Sequence, residues 1–173
     1  MRRPRTLLAV LAALVATLAV TGGSSAAPTK SQALFEKTLL ADAKTTGAVK
    51  RLLREGGGFV APDVTFEDLT GDGRSDAIVL VDSGGVGGAV ALYVFSTDGE
   101  SARSDLRVVY RSQRLYRASA EVADATLILR TPRFAEGDDV CCPAKIVQRT
   151  YAWSKSSKTL RQRRSQELPG PTG

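Results

Sequence analysis

The period of apolar residues changes once along this chain, at Gly56-Gly57-Gly58, and never changes back. From Ser31 to Glu55, Leu34, Phe35, Leu39, Leu40, Ala43, Val49, Leu52 and Leu53 recur at three- and four-residue spacing, the pattern of an amphipathic helix. Thr45-Thr46-Gly47 interrupts the pattern, so one helix or a pair is expected, ended by the three glycines. Beyond them, 64–67, 77–82, 89–96, 106–111, 115–122, 125–131, 145–153 and 158–164 are short runs rich in Val, Ile, Leu, Tyr and Thr, separated by Gly, Asp, Ser and Pro; these are strands joined by turns. No helix intervenes between them, so parallel crossovers have no source and the pairing should be antiparallel. The expected fold is α+β. A helix or helix pair from residues 27–58 packs on a mostly antiparallel sheet of about six to eight strands over residues 59–165, a meander or half-open barrel, and 166–173 form a disordered tail. Ala77 to Val81 and Val90 to Phe95 are apolar on both faces and read as central strands, whereas Val147, Tyr151 and Trp153 alternate with Gln148, Thr150 and Ala152, as a strand with one wet side does.

The start of the chain gives an address. Met1-Arg2-Arg3-Pro4-Arg5 is basic, Leu7 to Val20 is apolar except for Thr17, and Thr21 to Ala27 is small and polar, the three parts of a secretory signal peptide. The apolar run falls short of the roughly 20 residues that span a bilayer, so cleavage near Ala26, with Ala27 the second choice, and no stable membrane anchor are expected. Cleavage removes three arginines and no acid, which halves the net charge from +6 to +3. A secreted chain of that charge is not expected to bind nucleic acid. The run Lys155, Lys158, Arg161, Arg163 reads as a solvated hairpin face, and so do Arg107 and Arg111 on their strand. The glycines of Ser83 to Gly88 open onto a strand rather than a helix, so they form a hairpin loop and not a phosphate cradle.

Two local features carry chemistry. In Phe66 to Asp76, oxygen-bearing side chains stand at Asp68, Thr70 and Asp72, Gly73 permits a sharp reversal, Arg74 can offer its carbonyl and Asp76 closes the loop. Such a set can wrap a hard cation, calcium taking about 6 to 8 oxygen ligands; the same residues can instead make an Asx-type turn with no metal. The loop resembles the Asp-x-Asp-Gly-Asp-Gly-x-x-Asp loop of FG-GAP and VCBS-type repeats, over residues 64–82. That resemblance implies carboxylate ligands at Asp68, Asp72 and Asp76, a carbonyl ligand at Arg74, turn glycines at Gly71 and Gly73, and calcium as the ion. Thr70 departs from it, a hydroxyl replacing a carboxylate. One copy is present, so the chain is not a propeller of such repeats.

Cys141 and Cys142 are the only cysteines, and they are adjacent. Export implies an oxidising compartment, so a vicinal disulfide is expected, one that shapes its loop and staples nothing distant. The Cys-Cys-Pro segment followed by Tyr151 and Trp153 is similar, over residues 138–153, to envelope proteins of the LppP/LprE type among small actinobacterial exported proteins. It departs from their lipoprotein members in having no lipobox cysteine.

The chain has no histidine, which removes Ser/His and Cys/His dyads and imidazole metal ligands. No catalytic residues and no organic cofactor are expected. The expectation is a monomeric, exported, non-enzymatic binding module for an extracellular or envelope ligand or protein, with calcium as a candidate stabiliser of the acidic loop. Two alternatives stand beside it. One is a redox-responsive protein using Cys141 and Cys142; the other is a hydrolase pairing Asp138 or Asp139 with Asp68 or Asp72 across a cleft.

Overall fold

In the computed structural model, residues 29–55, 57–97 and 106–171 are described. The expected signal segment with its cleavage site near Ala26 lies outside them, as do Gly56, Arg103 and residues 172–173.

The N-terminal segment is a helix pair, α1 (Lys30–Ala41) and α2 (Gly47–Arg54). Thr29 and Gln32 form a capping box that starts α1, each side chain bonding the other's backbone N–H. Thr46 caps α2 through its hydroxyl, which accepts from the Val49 N–H. The break at Thr45-Thr46-Gly47 is therefore a stop and a restart, as the sequence predicts.

Nine strands follow among the described residues, in two antiparallel sheets rather than one. Sheet A contains β1 (Phe59–Val60), β2 (Thr65–Glu67), β3 (Asp76–Asp82), β4 (Ala89–Thr97) and β5 (Leu106–Gln113). Its order is β1-β3-β4-β5, and β2 also pairs with β3. Sheet B is the meander β6 (Ser119–Ala123), β7 (Thr126–Arg133), β8 (Lys145–Ser154) and β9 (Thr159–Pro169). The single sheet expected from sequence is corrected here, for a physical reason visible in β3 and β4. Ala77, Val79, Val81, Ala91, Tyr93 and Phe95 share one core with Phe35, Leu39, Val49 and Leu53 of the helices. The alternate residues Ile78, Leu92 and Val94 share a second core with Leu127, Leu129, Tyr151 and Leu160 of sheet B. Both faces of sheet A are apolar because it is the middle of three layers, helices on one side and sheet B on the other.

The chain crosses between sheets at residues 114–118, where Arg114 and Arg117 take left-handed φ values of 63° and 46°. Leu115, Arg117 and Ala118 donate their N–H groups to the carbonyls of Val90, Gly87 and Ala89, so this corner is pinned to the start of β4. The glycine loop at 83–88 is a hairpin turn, as expected, and closely packed: a Cβ on Gly84 would lie 1.9 Å from the Gly57 carbonyl oxygen. The disordered tail expected at 166–173 is also corrected. Strand β9 continues through Gln166, Glu167, Leu168 and Pro169 because β8 offers it a partner over its whole length, Lys145 pairing with Pro169. Gly170 then donates its N–H to the Ala144 carbonyl at 2.9 Å.

A bulge decides the placement of two arginines. Val94 pairs with Tyr110 but Phe95 with Val108, leaving Val109 as the extra residue. Arg111 therefore shares the helix-facing side with Tyr93, while Arg107 shares the sheet B side with Ser96. Arg111 is no solvated residue. Its guanidinium meets Asp42 at 3.0 Å and ties the end of α1 to sheet A. Gln113 adds to that tie, accepting from the Tyr93 hydroxyl and the Thr46 N–H and donating to the Lys44 carbonyl. Burial pushes the Tyr93 phenol above its ordinary pKa, with Asp42 acting in the same direction and Thr45 and Arg111 against it.

Candidate functional site

The acidic loop is held at two buried points. Leu69, 2% exposed, enters the core between the sheets, and Asp76, 1% exposed, begins β3. One oxygen of the Asp76 carboxylate accepts the N–H groups of both Leu69 and Thr70, each at 2.9 Å. Asp68 accepts from Gly71 at 2.7 Å and Asp72 at 3.2 Å with one oxygen, and from Gly73 at 2.8 Å with the other. Asp72 accepts the Arg74 N–H at 2.9 Å and meets the Arg74 guanidinium at 3.1 Å. Gly71 and Gly73 take left-handed φ values of 72° and 81°.

The loop thus closes on itself. Each of the three carboxylates that the resemblance offers to calcium is already an acceptor for backbone amides, and among the described residues no three Asp, Glu, Cys or His side chains converge to hold a metal ion. As placed, these side chains make an Asx-type turn. Asp72 remains readily ionised. Partial burial raises its pKa, but the Arg74 backbone amide, side chain and charge outweigh that and lower it, and the Thr70 hydroxyl acts in the same direction.

One polar group in the loop is left over. Thr70 is 8% exposed, and its buried hydroxyl, although it approaches the Asp72 carboxylate, makes no hydrogen bond of good geometry. Buried hydroxyls nearly always have one, because desolvating such a group without compensation costs about 1 to 3 kcal/mol. Thr70 lines an open cleft of about 290 Å³ with Asp72, Ser96, Arg107, Trp153, Lys155 and Lys158. Four parts of the chain meet there: the acidic loop, the end of β4, the start of β5, and the β8–β9 hairpin. The hairpin is docked by Leu160, which is buried in the inter-sheet core, and by the Thr159 hydroxyl, which donates to the Val109 carbonyl at 2.7 Å. Trp153 packs against the same core and presents its remaining surface to the cleft.

Sequence reading singled out Thr70 and Asp72 but as metal ligands, and it left Ser96, Trp153, Arg107, Lys155 and Lys158 out of any site. Arg107 and the two lysines were expected on solvated faces; the structure brings all three to one cleft. No local signal marks them, since their meeting depends on the bulge at Val109 and on the docking of the hairpin.

The cysteines lie elsewhere. Cys141 and Cys142 are disulfide-bonded, with α-carbons 3.8 Å apart. Their loop is held mainly by other groups. Asp138 accepts the Ala135 N–H at 2.7 Å and the Ala144 N–H at 2.6 Å, and the Arg117 guanidinium donates to the Val140 carbonyl. Cys141 lines a largely apolar hollow of about 180 Å³ with Pro132, Phe134, Val140, Pro143 and Arg117. Asp138 is engaged in this loop and Asp72 in the acidic loop, and the two do not line the same described cleft.

Comparison with protein-family models, curated proteins and solved structures finds no match for this chain.

Proposed function

We propose that the protein is an exported, non-enzymatic binding module that takes an extracellular or envelope ligand in the cleft between Thr70 and Lys158. The observation that carries this reading is the cleft itself, which sets the indole of Trp153 beside Thr70, Ser96 and the ammonium groups of Lys155 and Lys158, neither of which makes an ion pair among the described residues. Ligand sites combine an apolar surface with a few converging polar groups. The basic signal-like N-terminus supports export.

Sedimentation tests the reading. The mature chain should pellet with cell-envelope material from the producing organism, and Lys155→Glu/Lys158→Glu, with an unchanged circular dichroism spectrum, should remain in the supernatant. Equal partition of the two proteins would overturn it.

A second reading rests on the adjacent cystine, which a dithiol reductant can open to two thiols. In that case hydrogen exchange at residues 134–144 should rise sharply on reduction. An unchanged exchange pattern there would remove the redox reading.

A further inference from the structure

We propose that the groove between α2 and the start of β4 binds a single-chain amphiphile with an anionic head, of the class of a medium-length fatty acid. The groove shares no lining residue with the cleft between Thr70 and Lys158, so it is a second site and stands apart from the reading of that cleft.

Its apolar walls are Ala48, Val49 and Leu52 of α2 and Val90 of β4. Val49 is buried in the core, whereas Ala48 is exposed and Leu52 and Val90 are half-buried, so part of an apolar strip is left uncovered between helix and strand. The walls are fixed by contacts that need no ligand. The Thr46 N–H donates to the Gln113 side chain at 2.8 Å, which sets the start of α2 against sheet A. Gly58 packs so closely that a Cβ there would collide with the Leu52 side chain and the Asp82 carbonyl. Leu115 donates to the Val90 carbonyl at 2.8 Å, which holds the adjacent Arg114 beside the groove.

The polar side chains at the groove decide the class of ligand. Two hydroxyls line it, and both are engaged locally: Thr46 caps α2 by accepting from the Val49 N–H, and Ser83 accepts from the Gly85 N–H. The remaining one is Arg114, exposed and with no ion pair or side-chain hydrogen bond among the described residues. No carboxylate lines the groove to oppose an anion. A sugar or an extended peptide would bring hydroxyls or amides that these walls leave unanswered, which disfavours both. A hydrophilic anion such as phosphate would use Arg114 and none of the walls, and a neutral hydrocarbon would use the walls and leave Arg114 idle. An alkyl chain ending in a carboxylate uses both. The chain covers Ala48, Leu52 and Val90, and the carboxylate meets the guanidinium through paired N–H donors. At about 270 Å³ the groove is at the small end of ligand sites, which suits one chain rather than two.

Isothermal titration calorimetry of the mature protein with octanoate, 1-octanol and butyrate at pH 7 tests the proposal. Octanoate should bind at least about tenfold more tightly than either of the others and shift the methyl NMR signals of Ala48, Leu52 and Val90. Arg114→Gln should lower octanoate affinity to that of octanol. Ala48→Glu places a like charge in the groove and should abolish octanoate binding; an acid suits the first turn of a helix, so α2 stays folded. Lys155→Glu/Lys158→Glu should bind octanoate as wild type does, and a loss there would overturn the proposal by moving the site to the cleft. Equal affinity for octanol would overturn the anionic head. Equal affinity for butyrate would overturn the groove and leave only a surface arginine meeting a carboxylate. No binding of octanoate, or binding that neither Arg114→Gln nor Ala48→Glu weakens, would overturn the site itself.

Discussion

Replacing Thr70 by Val should make the ligand-free protein more stable. The two side chains have nearly the same shape, so the buried site, 8% exposed, loses its hydroxyl without gaining a cavity. The hydroxyl makes only a poorly aligned approach to the Asp72 carboxylate, and the N–H of residue 70 keeps its bond to Asp76. What disappears is the desolvation penalty of the hydroxyl, and recovering part of it gives a gain of about 1 to 2 kcal/mol. For a chain of this length each kcal/mol moves the melting temperature by roughly 3 to 4 °C, so a rise of about 3 to 8 °C is expected. Differential scanning calorimetry of wild type and Thr70→Val in ligand-free buffer measures it directly. A fall in melting temperature would refute the reasoning, since it would mean that the hydroxyl already serves a structural bond and is not held in reserve for a ligand.

Asp76→Ala should cost about 2 to 5 kcal/mol in urea unfolding because it strips two buried N–H groups of their shared acceptor, and the loss should be the same in millimolar calcium and in chelator. Wild-type melting should likewise be equal in the two buffers; a rise with calcium would show that the loop opens to bind the ion. Cys141→Ser/Cys142→Ser should unfold within about 1 kcal/mol of wild type, against about 2 to 5 for a long-range disulfide, whereas Asp138→Ala should loosen residues 134–144 in hydrogen exchange. Acid should reveal Glu167. The Lys145 ammonium bonded to it, with Arg133, lowers its folded pKa below 4.5, so its contribution is full above that value and is lost as pH falls through the folded pKa. Wild type should therefore lose more stability than Glu167→Gln between pH 6 and pH 3, as read by urea midpoints, and equal losses would count against the pairing.

Much of the scaffold was legible in the sequence, and the rest depended on contacts between distant segments. The helix break, the antiparallel pairing and the ends of most strands follow from local period and turn residues. The two-layer arrangement of strands was implied by Val79 and Val81 alternating with Ile78 and Leu80, since a strand apolar on both faces needs two covers, but only the helices were assigned to one. The corner that builds the second cover runs through Arg114 and Arg117, two left-handed residues with no glycine to announce them. The parity of Arg107 and Arg111 could not be read because the extra residue at Val109 is fixed by its partners on β4. In the acidic loop the residue types were correctly singled out and their orientation was the undecided part. The same Asp68, Asp72 and Asp76 suit an ion or backbone amides, and their bonds to the amides depend on where the buried anchors Leu69 and Asp76 hold the loop. The cleft itself was invisible, because Trp153, Lys155 and Lys158 are some eighty residues from Thr70 and are brought there only by packing of the sheets.

The most direct measurement is the accessibility of Trp153 to acrylamide in the mature protein, free and when bound to envelope material, with chelator present throughout. Half-buried and lining the cleft, the indole should be quenched appreciably in the free protein and strongly protected in the bound protein, with the protection abolished in Lys155→Glu/Lys158→Glu. Protein that pellets with the envelope while Trp153 stays as accessible as in solution would show that the ligand sits elsewhere, and would contradict the assignment of this cleft.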